Sequence, residues 1–190
     1  MAAPSHSLRS WLVYGALRGA VLSLVGFLPW VLAGRTLSQS LGEAGFYAVC
    51  ALVFIAASGP LLHGLLRGGG IGKFYALFAL SFALYAVGWT AGWLALRGIA
   101  GSALGLVLGC LGMAATFAVW FRKPLALVPM LLMLLLTQVL GYFVGQFAHN
   151  VLAASPNAAK LAWGAAYGVG LGLGMAAALW RAQRPDPVVR

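Results

Sequence analysis

The chain has 190 residues, of which 63% are hydrophobic and 7% are charged, and its formal net charge is +10. This composition excludes an ordinary soluble domain, because apolar runs of about 20 residues recur along the whole length, as membrane-spanning helices require. The positive charge does not indicate nucleic acid binding, since the basic residues stand between apolar segments instead of clustering on one soluble face.

Charged residues divide the chain into six apolar segments, each long enough to cross a bilayer as a helix. Continuous apolar runs favour helices over the shorter, alternating strands of a barrel. The first run is longer than the core of a secretory signal peptide, so we expect it to be retained. The sequence predicts an all-α, polytopic membrane protein with a single domain over 1–190, whose six spans are 11–33, 46–66, 74–96, 103–121, 125–148 and 161–180.

The basic residues favour one orientation of this bundle. If the N-terminus is cytoplasmic, nine of the twelve lysines and arginines fall on the cytoplasmic side, and Arg35, Arg97 and Lys160 fall outside. Short cytoplasmic loops are enriched in these residues. We therefore expect both termini in the cytoplasm, the cytoplasmic (inner) membrane of a bacterium as the location, and anionic lipid headgroups as partners on the cytoplasmic side.

The first segment carries a charge inside an apolar stretch. Arg18 lies seven residues beyond Trp11, which is about 10 Å below the membrane surface. One interpretation is that its side chain reaches back to the cytoplasmic headgroups. The other is an anion site or a contact with a partner protein.

Small residues on the same segment form a flat surface. Gly15 and Gly19 are one turn apart, and Ala16 and Ala20 repeat the spacing, so another helix can approach closely. Similar glycine ladders occur in four other segments. They are explained either by tight packing within one bundle or by docking of the first helix onto a membrane protein partner or a second copy of the chain.

Proline predicts a local break in the second segment. Pro60 has no N–H group for the Ala56 carbonyl. We expect a helix kink at which Ser58 or a neighbouring helix donates to that carbonyl.

The chain lacks the residues of an enzyme or a cofactor site. Its two carboxylates, Glu43 and Asp186, lie outside the predicted spans, which argues against a pump that loads its ion on a buried acid. The two cysteines show no C-x-x-C pattern, and the three histidines are too far apart along the predicted bundle to share a haem or a metal. We therefore predict no catalysis, no metal and no cofactor.

The fifth segment carries a polar stripe that indicates a pocket. Gln138, Tyr142 and Gln146 recur every four residues, and His149 and Asn150 follow. Amides facing lipid would be costly, so we expect the stripe to face the interior of the bundle, either as interhelical hydrogen bonds or as a pocket wall. In the second case the pocket opens to the outside, suits a small neutral or anionic solute, and includes aromatic residues at similar depth, namely Trp89, Trp93, Trp163 and Tyr167.

These features together resemble the substrate-binding S-components of energy-coupling-factor transporters. The resemblance covers the whole chain: six helices in 190 residues, both termini inside, Ala16 and Ala20 in A-x-x-x-A spacing, and outer loops at 35–45 and 149–160 over an outward pocket. It implies capture of a vitamin or micronutrient and docking of the first helix onto an energising membrane partner.

Two classes of function follow. The first is a membrane subunit that binds or transports a small solute in an outward-facing pocket. The alternative is a non-catalytic accessory or assembly subunit of a larger membrane complex, in which the glycine ladders and the polar stripe serve packing alone.

The predicted orientation can be tested with a reporter fusion. Alkaline phosphatase inserted after Gly101 should be active, because this position lies outside the cytoplasm if both termini lie within it. An inactive fusion that is expressed normally would contradict this orientation and indicate the reverse one.

Overall fold

The structure is a computed structural model that describes residues 7–184. Residues 1–6 and 185–190, which include Asp186, lie outside the described part. Within it the chain is helical and has no strands. The helices are α1 (Leu8–Leu62), α2 (Ile71–Leu96), α3 (Gly98–Trp120), α4 (Leu127–Val151) and α5 (Pro156–Ala182), with short 3-10 turns at His63–Leu65 and Pro124–Ala126.

Helix α1 folds back on itself at Gly42. This residue has φ 69° and ψ 176°, a left-handed conformation that glycine adopts without strain. The Tyr14 hydroxyl donates a 3.1 Å hydrogen bond to the Leu61 carbonyl, 47 residues away. A straight helix would separate these residues by about 70 Å. The element therefore consists of a first arm, residues 8–41, and a second arm, residues 43–62, that run in opposite directions.

The number of helices differs from the six that the sequence predicts. Five helices in the described residues are long and apolar enough to cross a membrane. The predicted spans 11–33 and 46–66 both belong to α1, because residues 34–45, which we expected to be a loop, continue the helix apart from Gly42. The prediction of an all-helical protein is confirmed for the described residues, and several of its helices are long and apolar enough to cross a membrane.

The helices form a bundle in which the order around the bundle is α1, α5, α4, α3 and α2. Successive elements run in opposite directions, so both described termini lie at one end with the turns near residues 63–70 and 121–126. We call this the termini end. The opposite end, formed by Gly42, Arg97 and residues 152–155, is the far end.

The surface of the bundle is apolar between these two ends. On α4, for example, leucines exposed by more than half of their surface recur every four residues, at Leu132, Leu136 and Leu140. Such a face suits contact with lipid hydrocarbon. The basic residues lie near the ends, with three of them at the far end, namely Arg35, Arg97 and Lys160.

The first arm of α1 packs against α5 through glycine. A β-carbon added at Gly15 would overlap the Gly172 carbonyl oxygen, and one at Gly19 would overlap the Gly168 carbonyl oxygen. The two backbones therefore touch without intervening side chains, as small residues allow in membrane helices. Ala20 joins the same contact, because its Cα lies against Gly168.

The carbonyl that Pro60 leaves without a backbone donor is bonded from a neighbouring helix, as the sequence predicts. The Tyr75 hydroxyl on α2 donates to the Ala56 carbonyl at 2.7 Å, which replaces the missing Pro60 N–H group. The Ser58 hydroxyl donates instead to Ile55 at 2.7 Å. A methyl group on Gly59 would overlap the Tyr75 ring, so glycine at 59 gives the tyrosine access to the backbone.

The glycine contact predicts a large difference between two chemically identical substitutions. Gly172→Ala should destabilise the protein by about 1–3 kcal/mol, because the added methyl group forces α1 away from α5. Gly72→Ala is the matched control, since a methyl group there meets nothing within 4 Å. Thermal unfolding in detergent measures both. Equal midpoints for the two variants would show that the backbones are not in contact.

Candidate functional site

A shallow cavity of about 330 Å³ lies at the far end, between the tip of α1 and the start of α5. The first arm, the second arm and α5 all contribute to its wall. Because α1 reverses at Gly42, residues from both arms meet there. The lining residues are Trp30, Gly34, Arg35, Ser38, Glu43, Phe46, Tyr47 and Lys160.

The cavity carries two positive charges and one negative charge. Lys160 is half-buried, and its Nζ lies 5.1 Å from the centre of the Trp30 ring. Glu43 is exposed and lies beside the Tyr47 hydroxyl. The excess of positive charge favours an anionic group, and the indole offers an apolar surface next to it.

Aromatic rings connect this cavity to the interior of the bundle. The Trp30 ring lies 6.5 Å from that of Trp163, and Phe27 lies between them at 5.6 Å and 5.2 Å. Trp163 continues the series to Tyr142 at 5.7 Å and stacks on Tyr167 at 5.9 Å. These rings form a continuous apolar path with a hydroxyl group at its deeper end.

Polar groups without partners lie along this path. Gln138 is fully buried, and neither atom of its amide has a hydrogen-bond partner among the described residues. The same is true of the Trp163 indole nitrogen. An unpaired buried polar group costs about 1–3 kcal/mol, so each of these three atoms requires an explanation.

The buried Ser23 hydroxyl on α1 also has no partner among the described residues, whereas four hydroxyl groups at this depth lie in pairs. The Tyr142 hydroxyl lies 3.1 Å from that of Ser102 on α3, and the Tyr85 hydroxyl on α2 lies beside that of Tyr167. Helices α2 to α5 therefore all contribute to one polar centre, with the Gln138 amide one turn below Tyr142 on the same face of α4.

The predicted pocket residues occupy three places. Gln138, Tyr142, Trp163 and Tyr167 belong to the path just described. Gln146 donates to Asn150 at 3.1 Å near the surface of α4, and His149 is half-buried beside them. Trp89 and Trp93 stack on each other at 6.3 Å and pack on α3, where Gly105 lies under Trp89. Their role in binding a solute stays a prediction.

Some of the residues predicted to contact a partner helix instead contact α5 of the same chain. Gly15 and Gly19 are buried against α5, whereas Ala16 and Ala20 are half-buried. The glycine surface is thus used within the bundle in this structure. Docking of α1 onto another protein stays a prediction.

Arg18 lies at the end of a helix. Its Nη1 atom donates to the Pro60 and Leu61 carbonyls at 3.3 Å and 3.0 Å, and its guanidinium lies 4.4 Å from the centre of the Tyr14 ring. The last carbonyls of a helix lack backbone partners and carry partial negative charge. Arg18 therefore caps the second arm of α1, a role that neither sequence interpretation included.

No metal centre is visible in residues 7–184, where no three His, Cys, Asp or Glu side chains converge. Cys50 and Cys110 are both free thiols. The Nδ1 atom of His63 lies 2.8 Å from the Gly59 carbonyl, so this histidine contributes to the same helix end as Arg18.

Most residues of the cavity were not predicted as pocket residues. Arg35 and Lys160 entered the predictions only as outer basic residues, and Glu43 only as an acid outside the spans, although the loops 35–45 and 149–160 were expected to cover a pocket. A usable signal was present, since the two predicted loops carry both cations and the one acid between the spans.

The chain matches no protein-family model, no curated protein and no solved structure. Its function is therefore inferred from its own geometry.

Substitution of Gln138 tests the polar centre. Gln138→Leu should stabilise the protein without solute by about 1–3 kcal/mol, because leucine removes two unpaired buried atoms. The rise in thermal unfolding midpoint in detergent measures this gain. Gln146→Leu is the matched control on the same helix and should bring no gain, since its amide is already paired. A lower midpoint for Gln138→Leu than for the unchanged protein would mean that the amide has partners.

Proposed function

We propose that this protein is an integral membrane subunit that binds, and in a complex transports, a small solute carrying a negatively charged group. The observation that carries the proposal is the far-end cavity, which Arg35 from α1 and Lys160 from α5 line together with Trp30. Convergent cations beside an apolar wall are typical of sites that hold a small anion with an apolar part.

Five of the lining residues have a role in this proposal. Arg35 and Lys160 bind the negative group, and Trp30 and Phe46 contact the apolar part. Glu43 accepts hydrogen bonds and repels a second negative charge, which favours monoanions or zwitterions over multiply charged solutes.

The deeper polar centre extends the site in this proposal. The aromatic path from Trp30 to Tyr142 leads toward the unpaired amide of Gln138. An amide both donates and accepts, so a solute with a neutral polar group would satisfy it. Binding at this depth requires the rings of Phe27 and Trp163 to move apart.

The proposed topology has six crossings. Both arms of α1 are at least about 20 residues long, enough for each to span the bilayer, and the other four helices each cross once. The positively charged termini end is then cytoplasmic. The cavity opens on the opposite face, so solute would enter from outside.

The accessory-subunit alternative draws less support from the geometry. The glycine ladders account for packing within this chain. Packing does not account for the cations of the cavity or for the unpaired amide of Gln138. The proposed docking of α1 onto an energising partner, as in S-components, would use the outer faces of Ala16 and Ala20.

Mass spectrometry of the purified protein tests the proposal. The chain purified in mild detergent should retain a small molecule that the double variant Arg35→Gln, Lys160→Gln loses. Loss of one hydrogen bond to a charged group costs about 1.5–3 kcal/mol, which is roughly a tenfold or greater loss of affinity.

Arg97→Gln is the control for this experiment. Arg97 is also at the far end and also lies over a tryptophan, 4.3 Å from the Trp93 ring centre, but it does not line the cavity. It should leave the retained molecule unchanged. A stoichiometric partner protein without any small molecule would contradict the proposal and support the accessory subunit.

A further inference from the structure

Two arginines lie against one tryptophan at the termini end, far from the cavity. The guanidinium carbon of Arg67 is 4.7 Å from the centre of the Trp180 ring, and that of Arg184 is 4.5 Å from it. The sum of these distances, 9.2 Å, is an upper limit for the separation of the two cations. Arg67 also lies 4.8 Å from the ring centre of Trp11, which packs edge-on against Trp180 at 5.3 Å.

This arrangement is held by hydrogen bonds between two parts of the chain. The side-chain oxygen of Gln183 accepts from the Arg67 backbone N–H at 2.6 Å. Its amide nitrogen donates to the Leu65 and Leu179 carbonyls at 2.9 Å and 3.0 Å. The turn after α1 is thereby attached to the end of α5, so the bases of both arginines are fixed. The indoles beneath them are almost fully buried, with 2% of Trp11 and 6% of Trp180 exposed.

Contact with an indole leaves hydrogen-bonding capacity on both guanidinium groups. Each group carries five N–H donors, and a ring on one side restricts the motion of the group without accepting all of them. Both arginines are exposed. Less conformational entropy is then lost when an anion binds than for two freely moving side chains.

The charges at this end are not balanced by carboxylates in the described residues. Glu43 is the only acid between residues 7 and 184, and it lies at the far end, while Asp186 lies outside the described part. Lys73 and Arg181 add further positive charge near the same end. An anion that binds here meets attraction from several cations.

We propose that Arg67 and Arg184 bind the phosphate group of an anionic phospholipid. Guanidinium groups donate pairs of parallel hydrogen bonds to phosphate oxygens, and two of them within 9.2 Å can hold one headgroup. Trp180 stands two residues before the end of α5 at Ala182, the depth at which tryptophans lie among headgroups. A lipid phosphate is positioned at this depth by its acyl chains, whereas a free phosphate would have to leave bulk water.

Lipid titration followed by native mass spectrometry tests this site. The full chain in mild detergent is titrated with phosphatidylglycerol and, separately, with phosphatidylcholine, and the bound lipid is counted. The unchanged protein should bind one phosphatidylglycerol in preference to phosphatidylcholine. Arg184→Gln should weaken that binding about tenfold, equivalent to about 1.4 kcal/mol. Arg184→Lys should restore it only in part, because lysine keeps the charge but lacks the planar pair of donors.

Arg97→Gln is again the matched control, since it removes a tryptophan-stacked arginine from the opposite end. It should bind phosphatidylglycerol like the unchanged protein. Arg184 lies beyond the last residue of α5 and is exposed, so its substitution should not unfold the chain, and a circular dichroism spectrum verifies this. Unchanged binding by a folded Arg184→Gln variant would overturn the proposal, as would equal losses in the Arg97→Gln variant. Displacement of the lipid by millimolar inorganic phosphate would identify a free anion as the ligand and also overturn it.

Discussion

The contact between the first arm of α1 and α5 determines the geometry at both ends of the molecule. Because Gly15 and Gly19 meet Gly168 and Gly172 without side chains between them, the two helices are closely packed along their length. At the far end their extension brings Lys160 to the tip of α1 and forms the cavity. At the termini end it brings Trp11 to Trp180 and so positions Arg67. The far-end cavity and the arginine contacts at the termini end thus depend on the same pair of helices.

Buried polar groups in this bundle fall into two classes, those with hydrogen-bond partners and those without. Pro60 has no N–H group for the Ala56 carbonyl, and α1 ends at Leu62. Tyr75 donates to the Ala56 carbonyl, and Arg18 donates to the Leu61 carbonyl at the helix end. At these two places the donor comes from another helix or from the other arm. The Ser23 hydroxyl, the Gln138 amide and the Trp163 indole nitrogen have no partner among the described residues. Under the proposed function, a bound solute would supply partners for Gln138 and Trp163.

Much of this fold follows from hydropathy, because lipid forces backbone polar groups into helices. The apolar runs predicted an all-helical chain, although they predicted six spans where the structure has five long helices. The missing N–H of Pro60 predicted a donor to the Ala56 carbonyl, which Tyr75 supplies. The cost of lipid-facing amides likewise predicted a buried Gln138. Polarity alone did not show that residues 34–45 are helical, since a polar helix and a loop have similar composition. Within this segment only Gly42 has a non-helical backbone conformation. Glycine spacing also does not identify the helix that packs against a glycine surface. The spacing of Gly15 predicts a close contact, but its partner Gly172 lies 157 residues later and is known only from the tertiary structure.

The most direct test of this account is a solid-state NMR measurement on the glycine-labelled protein in lipid bilayers. Through-space carbon–carbon cross-peaks should join Gly15 to Gly172 and Gly19 to Gly168, because their backbones are in contact. If both pairs of cross-peaks are absent while those between Gly141 and Gly170 of α4 and α5 are observed, α1 does not pack on α5 and neither site has the geometry described.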